Sequence, residues 1–413
     1  MGSSTHRDVV AAQSRSISAA WSPRGAPPSW WLTAETFAAI AEDDVLLDLA
    51  ATIPPDRLPA LLLSAALRRR VDELRPQPLT GYYPVPGGPQ PPRDGGFRAA
   101  LHAFAGDEAA AIGALCAGHR YQMNEVGRCL DVLPALAEVA ASDPRPLALV
   151  DLGTGAGLGL QLDRYAYRYA LPDGSERVAG DPGSPVRLSC TVRAGNPPMP
   201  SALRIAHRVG VDAEPLDVTD PAIAAWLTAC VPPEAAAVTR FAAALQLVLD
   251  VAHRAGHGAV GLVPGEGRDV TVDAGPRPAG TLAQPAPTVR GDLVDALPGV
   301  VAGLPEDALL CLVDTYVHVF LPPDRLNRFR VLVDELGRDR DLVWISVDPL
   351  VPLGPAADAS VQGLAVPEAW VRDNREGGVF GVVGRVTVRD GRRTGAVLGR
   401  AHPGSAWLEW LSG

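Results

Sequence analysis

From Pro146 onward, short apolar runs alternate with longer segments of helical period. That texture predicts a parallel sheet with helical crossovers. Strands are predicted at 147–151, 207–212, 287–291, 309–314 and 342–347. A last pair, 379–388 and 395–402, flanks Arg389-Asp390-Gly391-Arg392, and Asp-Gly between two strand-like runs signals a hairpin. Two stretches fall outside this plan. Residues 170–206 are rich in Pro and Gly, with a strand-like patch at Val186–Val192, and residues 254–286 are richer still. Both read as surface insertions, the second with no expected order.

Ahead of Pro146 the pattern is helical. Residues 1–30 are rich in Ser, Ala and Pro and are expected to be a mobile arm, with Trp21, Trp30 and Trp31 placed to pin its end. Thr33 and Thr36, just before an apolar run, suggest a capped helix start. Pro54-Pro55 breaks that helix, and Leu58–Leu74 forms a second. An irregular link over 76–97 leads to a third helical region from Phe97 to about Ala141. The reading is a helical lid domain at 31–145, then an α/β domain at 146–413.

The most informative loop follows the first strand. Leu147-Ala148-Leu149-Val150 leads into Asp151, Gly153, Thr154, Gly155 and Gly157, then into a segment that reads as helical from about Leu158. Strand, glycine turn, helix is how an α/β protein brings backbone against a nucleotide. The dinucleotide fingerprint G-x-G-x-x-G would need a glycine at Leu158. The loop therefore resembles the first motif of class I S-adenosylmethionine-dependent methyltransferases.

Composition narrows the chemistry. The chain has 413 residues, 47% apolar and 20% charged, enough for one large domain or two ordinary ones. All 37 basic residues are arginine. Without lysine there is no Schiff base, no lysine-anchored pyridoxal phosphate, no P-loop lysine and no lysine general base. A net charge of −10 and a single short basic run, Arg68-Arg69-Arg70, disfavour a nucleic-acid partner. The five cysteines form no C-x-x-C pair and read as reduced cytoplasmic thiols. No 18-residue apolar run and no leader is read, so neither a membrane span nor a signal peptide is expected. Composition does not set the oligomeric state.

Five further segments carry a resemblance: YQMNEVGRC (121–129), DRYAYRY (163–169), RVGVDAEPLDVTD (208–220) with Trp226-Leu227, RGDLVDALP (290–298) and AHPGSAWLEWL (401–411). Together they resemble a bacterial family of unknown function, with Q-T-N-E-V-G-R-C and G-A-S-A-G-L motifs on a methyltransferase-like fold. The likeness runs from about residue 35 to the end. It implies a class I methyltransferase-like sheet, mostly parallel with an antiparallel terminal hairpin, and implies no particular reaction. The chain departs from the family pattern in three places. Gly155 stands where serine is usual, Val313-Asp314-Thr315 where Phe-His-Ser is usual, and Pro232-Pro233 lacks the usual Trp-Pro.

Candidate site residues follow. Asp151, Gly153, Thr154, Gly155 and Gly157 would hold the cofactor, S-adenosylmethionine. Asp212, ending the second strand, could accept from both ribose hydroxyls, or else cap a helix. Asp292, after the third strand, would meet the adenine amino group, or else cap the helix from Leu293. Asp314 and His318, four apart, flank the expected acceptor pocket, and the histidine could take a proton there near neutral pH. The alternative packs His318 inside a helix. Asn124, Glu125 and Arg128 fall within a polar helical stretch that reads either as a site or as a structural ion-pair set. Asp163-Arg164 reads as an ion pair anchoring Tyr165 and Tyr167. His253 and His257 lack a third ligand, so no metal is expected. The expectation is methyl transfer to a small-molecule O or N nucleophile. The alternatives are a non-methylating rearrangement or cyclisation on the same fold, and a non-enzymatic binder.

Overall fold

The computed structural model describes residues 5–22, 26–89, 91–254, 262–263, 287–350 and 359–411. It divides into two compact units, residues 1–125 with 220–242, and residues 126–219 with 243–413. Most of the expected 254–286 insertion lies outside the described residues.

The first unit is helical. It holds α1 (His6–Ala20), α2 (Trp31–Glu42), α3 (Asp44–Ala51), α4 (Pro59–Glu73), α5 (Gly96–Asp107) and α6 (Ala109–Gly118). The expected arm at 1–30 is corrected: α1 packs on α2, with Val10 and Ala11 buried. Its start carries a capping box, Thr5 with Asp8. Thr33 and Thr36 do not cap α2. Both lie inside it, and Thr36 donates back to the Leu32 carbonyl at 2.7 Å. The cap belongs to Asp43, whose carboxylate accepts from the Val45 and Leu46 amides and splits the expected long helix into α2 and α3.

The helical region expected from Phe97 to Ala141 is likewise divided. After α6 the chain is irregular through Glu125. A short 3-10 turn at Val126–Arg128 then leads into α7 (Cys129–Ser142), which belongs to the second unit. The first unit instead gains α8 (Pro221–Cys230) and the start of α9 (Ala235–Arg254). Trp226 and Cys230 of α8 are part of its apolar core beside Leu62, Leu63 and Leu67. One 18-residue window, Ala235–Ala252 in α9, is long and apolar enough to cross a membrane by length and composition alone, a stretch the sequence reading passed over. It contains Arg240, ion-paired with Glu125 at 2.9 Å.

The second unit is built on a mixed, mostly parallel sheet. Its strands are β1 (Leu147–Leu152), β2 (Ala166–Ala170), β3 (Glu176–Gly180), β4 (Arg187–Ala194), β5 (Ile205–Asp212), β6 (Leu262–Val263), β7 (Thr288–Arg290), β8 (Leu309–Thr315), β9 (Leu342–Asp348), β12 (Gly381–Arg389), β13 (Arg392–Ala401) and β14 (Trp407–Trp410). A separate two-stranded ribbon pairs β10 (Ser360–Val361) with β11 (Leu364–Ala365). The order across the main sheet is β3-β2-β4-β14-β13-β12-β9-β8-β1-β5-β7-β6. From β1 the neighbours β5, β7 and β6 run parallel on one side, and β8 and β9 on the other. All five expected parallel strands are present. The hairpin β12–β13 adds antiparallel to β9, and Asp390 and Gly391 both sit at positive φ, as a primed two-residue turn requires.

Two expectations fail here. The segment from Leu158 is not a long helix but a 3-10 turn, Gly159–Arg164, followed by β2. The 170–206 stretch is no surface insertion, because β3 and β4 extend the sheet. Helices α10 (Leu293–Ala302) and α11 (Pro323–Asp339) pack on the face shared by Ala148, Val150, Leu310, Leu312 and Trp344. The last helix is α12 (Glu368–Arg375).

Candidate functional site

Four neighbouring parallel strands carry the same dipeptide at their ends or one residue before: Val150-Asp151, Val211-Asp212, Val313-Asp314 and Val347-Asp348. They are β1, β5, β8 and β9, and their carboxylates gather at the carboxyl edge of the sheet. From β1 the chain first runs through β2, β3 and β4 at the far edge of the sheet, then adds β5 and β7 on one side of β1 and later β8 and β9 on the other. The switch point therefore lies between β1 and β8, where open α/β sheets bind ligands.

The glycine loop occupies that point. Gly153, Gly155 and Gly157 all have positive φ. A side chain on Gly153 would meet Val317 Cγ2 at 2.8 Å, so the loop lies tight against the segment after β8. A side chain on Gly155 would meet nothing within 4 Å, so the loop is open there. Its conformation is held from both sides. The Gly155 amide donates to Asp212 Oδ2 at 2.8 Å, and the Gly155 carbonyl accepts from Leu216 at 3.1 Å. Asp212 Oδ1 accepts from the Glu214 amide at 2.8 Å. Asp212 thus acts on the loop backbone through both oxygens, each of which keeps a second lone pair. Thr154 Oγ1 donates to Asp151 Oδ2 at 2.7 Å. Burial, with Asp212 nearby, pushes the Asp151 carboxyl up to about 7 against the pull of Thr154. Asp292 fulfils the capping alternative: it accepts from the Val294 amide at 2.9 Å and pairs with Arg325.

Asp314 and His318 do come together, though not on a helix. Tyr316 takes a left-handed φ of 59°, which turns the chain after β8 so that the 3-10 turn His318–Phe320 returns over the strand. His318 Nε2 lies 3.5 Å from Asp314 Oδ1, and Nδ1 lies 3.6 Å from Asp348 Oδ2. Asp348 Oδ1 accepts the His318 amide at 2.9 Å, and Trp344 Nε1 donates to Asp314 Oδ2 at 2.5 Å. All three side chains are sealed, at 1%, 2% and 0% exposure for Asp314, His318 and Asp348. Burial raises the Asp314 carboxyl well above its ordinary value, with Asp348 adding to it. Burial lowers His318, against the pull of Asp348. A general base must lie within hydrogen-bond reach of the proton it takes. As placed, His318 is sealed and faces two carboxylates, so the expected acceptor-base role would need the ring to become exposed first.

The expected polar helix face at 121–128 is not formed, because residues 119–125 are irregular. Glu125 pairs with Arg240, and Asn124 Nδ2 donates to the Leu227 carbonyl at 3.4 Å, both within the helical unit. Arg128 stacks over the Tyr316 ring at 4.1 Å and donates to the Thr315 carbonyl at 3.4 Å, within the sheet unit. Asp163 forms a bidentate bridge with Arg208, at 2.8 and 2.9 Å, a partner the sequence reading did not name. Asp348, Tyr316 and Trp344 were missed by the sequence reading. The recurring Val-Asp at strand ends was the signal that could have found Asp348.

Residues 23–257 and 279–410 match the bacterial family described as "Uncharacterized protein conserved in bacteria (DUF2332)". The chain belongs to that family. The DUF2332 match covers the glycine loop, the four Val-Asp strand ends and the YQMNEVGRC segment, and the family description carries no reaction. No curated protein matches the chain.

Proposed function

We propose that this DUF2332 protein binds S-adenosylmethionine on the glycine loop and transfers its methyl group to an O or N nucleophile of a small molecule. The observation that carries this reading is the open Gly155, held by Asp212 at the switch point between β1 and β8. The parallel run β7-β5-β1-β8-β9, closed by the antiparallel β12, supports a methyltransferase-like sheet. In such a transfer the sulfonium carries its own leaving group, so the protein's task is alignment and exclusion of water. Gly153, Thr154, Gly155 and Gly157 let backbone approach the cofactor, and Asp151 stands beneath them.

A non-methylating reaction on the same cofactor fold is the second reading. The sealed Asp314–His318 pair favours it, because that pair presents no exposed base to an acceptor. Binding and chemistry are separable by experiment. S-adenosylhomocysteine at about a hundred times its Kd should stabilise the protein by roughly 2.7 kcal/mol, and NADH should not. No thermal shift and no calorimetric heat at millimolar ligand would sink both cofactor readings. Binding with no label passing from S-adenosylmethionine to cell extract would favour the second.

A further inference from the structure

Four buried polar atoms converge without partners at the carboxyl ends of β8 and β9. They are Asp314 Oδ1, His318 Nδ1, His318 Nε2 and Asp348 Oδ2. A buried polar group left unpaired is costly, more so when charged, so four together call for a missing partner. One ligand atom from each residue falls within a set spanning no more than 4.8 Å. Three ligands about 2.1 Å from a common centre lie closer than 4.3 Å to one another, so small side-chain adjustments bring this set around an ion.

Two chemistries could fill the gap, protons or a cation. A proton shared between imidazole and carboxylate would draw the atoms to about 2.7–2.9 Å. The observed separations of 3.5 and 3.6 Å are too long for that. Two carboxylates and a neutral imidazole would offset a divalent cation; the metal-free alternative is a proton held between Asp314 and Asp348, and it leaves both His318 ring nitrogens without partners. The single imidazole disfavours magnesium and calcium, which prefer all-oxygen shells, and suits a first-row transition ion.

We propose that Asp314, His318 and Asp348 bind one divalent transition-metal cation of the zinc or manganese class. The two remaining contacts are what such a site needs around it. Trp344 Nε1 holds the second oxygen of Asp314, and the His318 amide holds the second oxygen of Asp348. These orient both carboxylates as outer partners orient ligands in metal sites. The left-handed Tyr316 is the backbone distortion that brings His318 into place. The site stands independently of the cofactor reading, since it uses none of the glycine-loop residues.

The test uses the full chain, prepared in medium supplemented with zinc and again with cobalt. Elemental analysis after desalting should find about one equivalent per chain. Crystals of the zinc form should give an anomalous peak about 2.0–2.1 Å from a His318 ring nitrogen. Asp348→Asn keeps the shape and can still accept the His318 amide, so it should stay folded by circular dichroism and lose at least nine-tenths of the metal. Less than a tenth of an equivalent in both preparations would overturn the proposal. So would an anomalous peak elsewhere, or full retention of metal in a folded Asp348→Asn. If that variant does not fold, the wild-type anomalous peak decides alone.

Discussion

Gly153 and Gly155 share a left-handed backbone but not a neighbourhood. Any residue other than glycine there costs about 1–2 kcal/mol for its Cβ. At Gly155 that is the whole cost, because the added methyl enters open space. At Gly153 the methyl also meets Val317 Cγ2 at 2.8 Å, and overpacking of this kind adds about 1–3 kcal/mol. Gly153→Ala should therefore lose clearly more stability in urea than Gly155→Ala. Under the proposed function the order reverses for ligand binding: Gly155→Ala should weaken S-adenosylhomocysteine more than its stability loss explains. Equal stability losses would mean that the loop does not press on the β8 segment as described.

At the scale of elements, the turn from α7 into β1 is fastened by charge. Asp143 follows α7 and is 3% exposed; Arg145 lies 2.7 Å away and Arg389 of β12 2.9 Å. Arg145 chiefly, with its own amide and Arg389, holds the Asp143 carboxyl down at about 2. The folded pKa is depressed, so this stability is complete above the unfolded value near 3.9 and is lost as pH falls through about 2. The two arginines are 33% and 38% exposed, so solvent trims the contribution to about 1–2 kcal/mol. Asp143→Asn should be less stable than the parent at pH 6, and the gap should close towards pH 2. A gap that stays constant in denaturant titrations across that range would show that the pair contributes nothing through charge. Legibility also differed by element. The five parallel strands and the Asp-Gly hairpin were readable because each is a short apolar run with a clear stop. DRYAYRY was misread because a helix was expected after the glycine turn. Its alternation is in fact that of a strand, with Tyr165, Tyr167 and Tyr169 all buried and their hydroxyls donating to the carbonyls of Leu158, Leu162 and Leu130. The segment 119–125 was misread for the opposite reason: helical spacing of polar residues was present without a helix. Asp348 was passed over as a site residue because its neighbours Asp314 and His318 lie about thirty residues earlier and come near it only through the pairing of β8 with β9, so the shared Val-Asp ending was its one local signal.

For the whole molecule, the boundary between units does not follow the sequence. A cut near residue 145, where the apolar texture changes, would sever the helical unit from residues 220–242. Those residues are structural members of it. Trp226 and Cys230 sit in its core, and α8 packs on α4. Trp226 Nε1 donates to the Arg120 carbonyl at 2.9 Å, Tyr121 Oη to the Cys230 carbonyl at 3.1 Å, and buried Arg68 to the Val231 carbonyl at 3.1 Å. Removing the segment would expose the apolar surface under Trp226 and leave the Arg68 charge buried without that acceptor, each a loss of several kcal/mol by analogy with large truncations. Marginal stability of about 5–15 kcal/mol does not absorb both. A fragment of residues 1–125 should therefore show no cooperative thermal transition. Adding a peptide of residues 220–242 in trans should restore one, with Trp226 fluorescence shifting to the blue as the indole leaves water. If residues 1–125 alone melt cooperatively and the peptide changes nothing, then α8 is an attachment rather than part of that core. The helical domain drawn from the sequence at 31–145 would then need only its two ends moved, to take in α1 and to stop at Glu125.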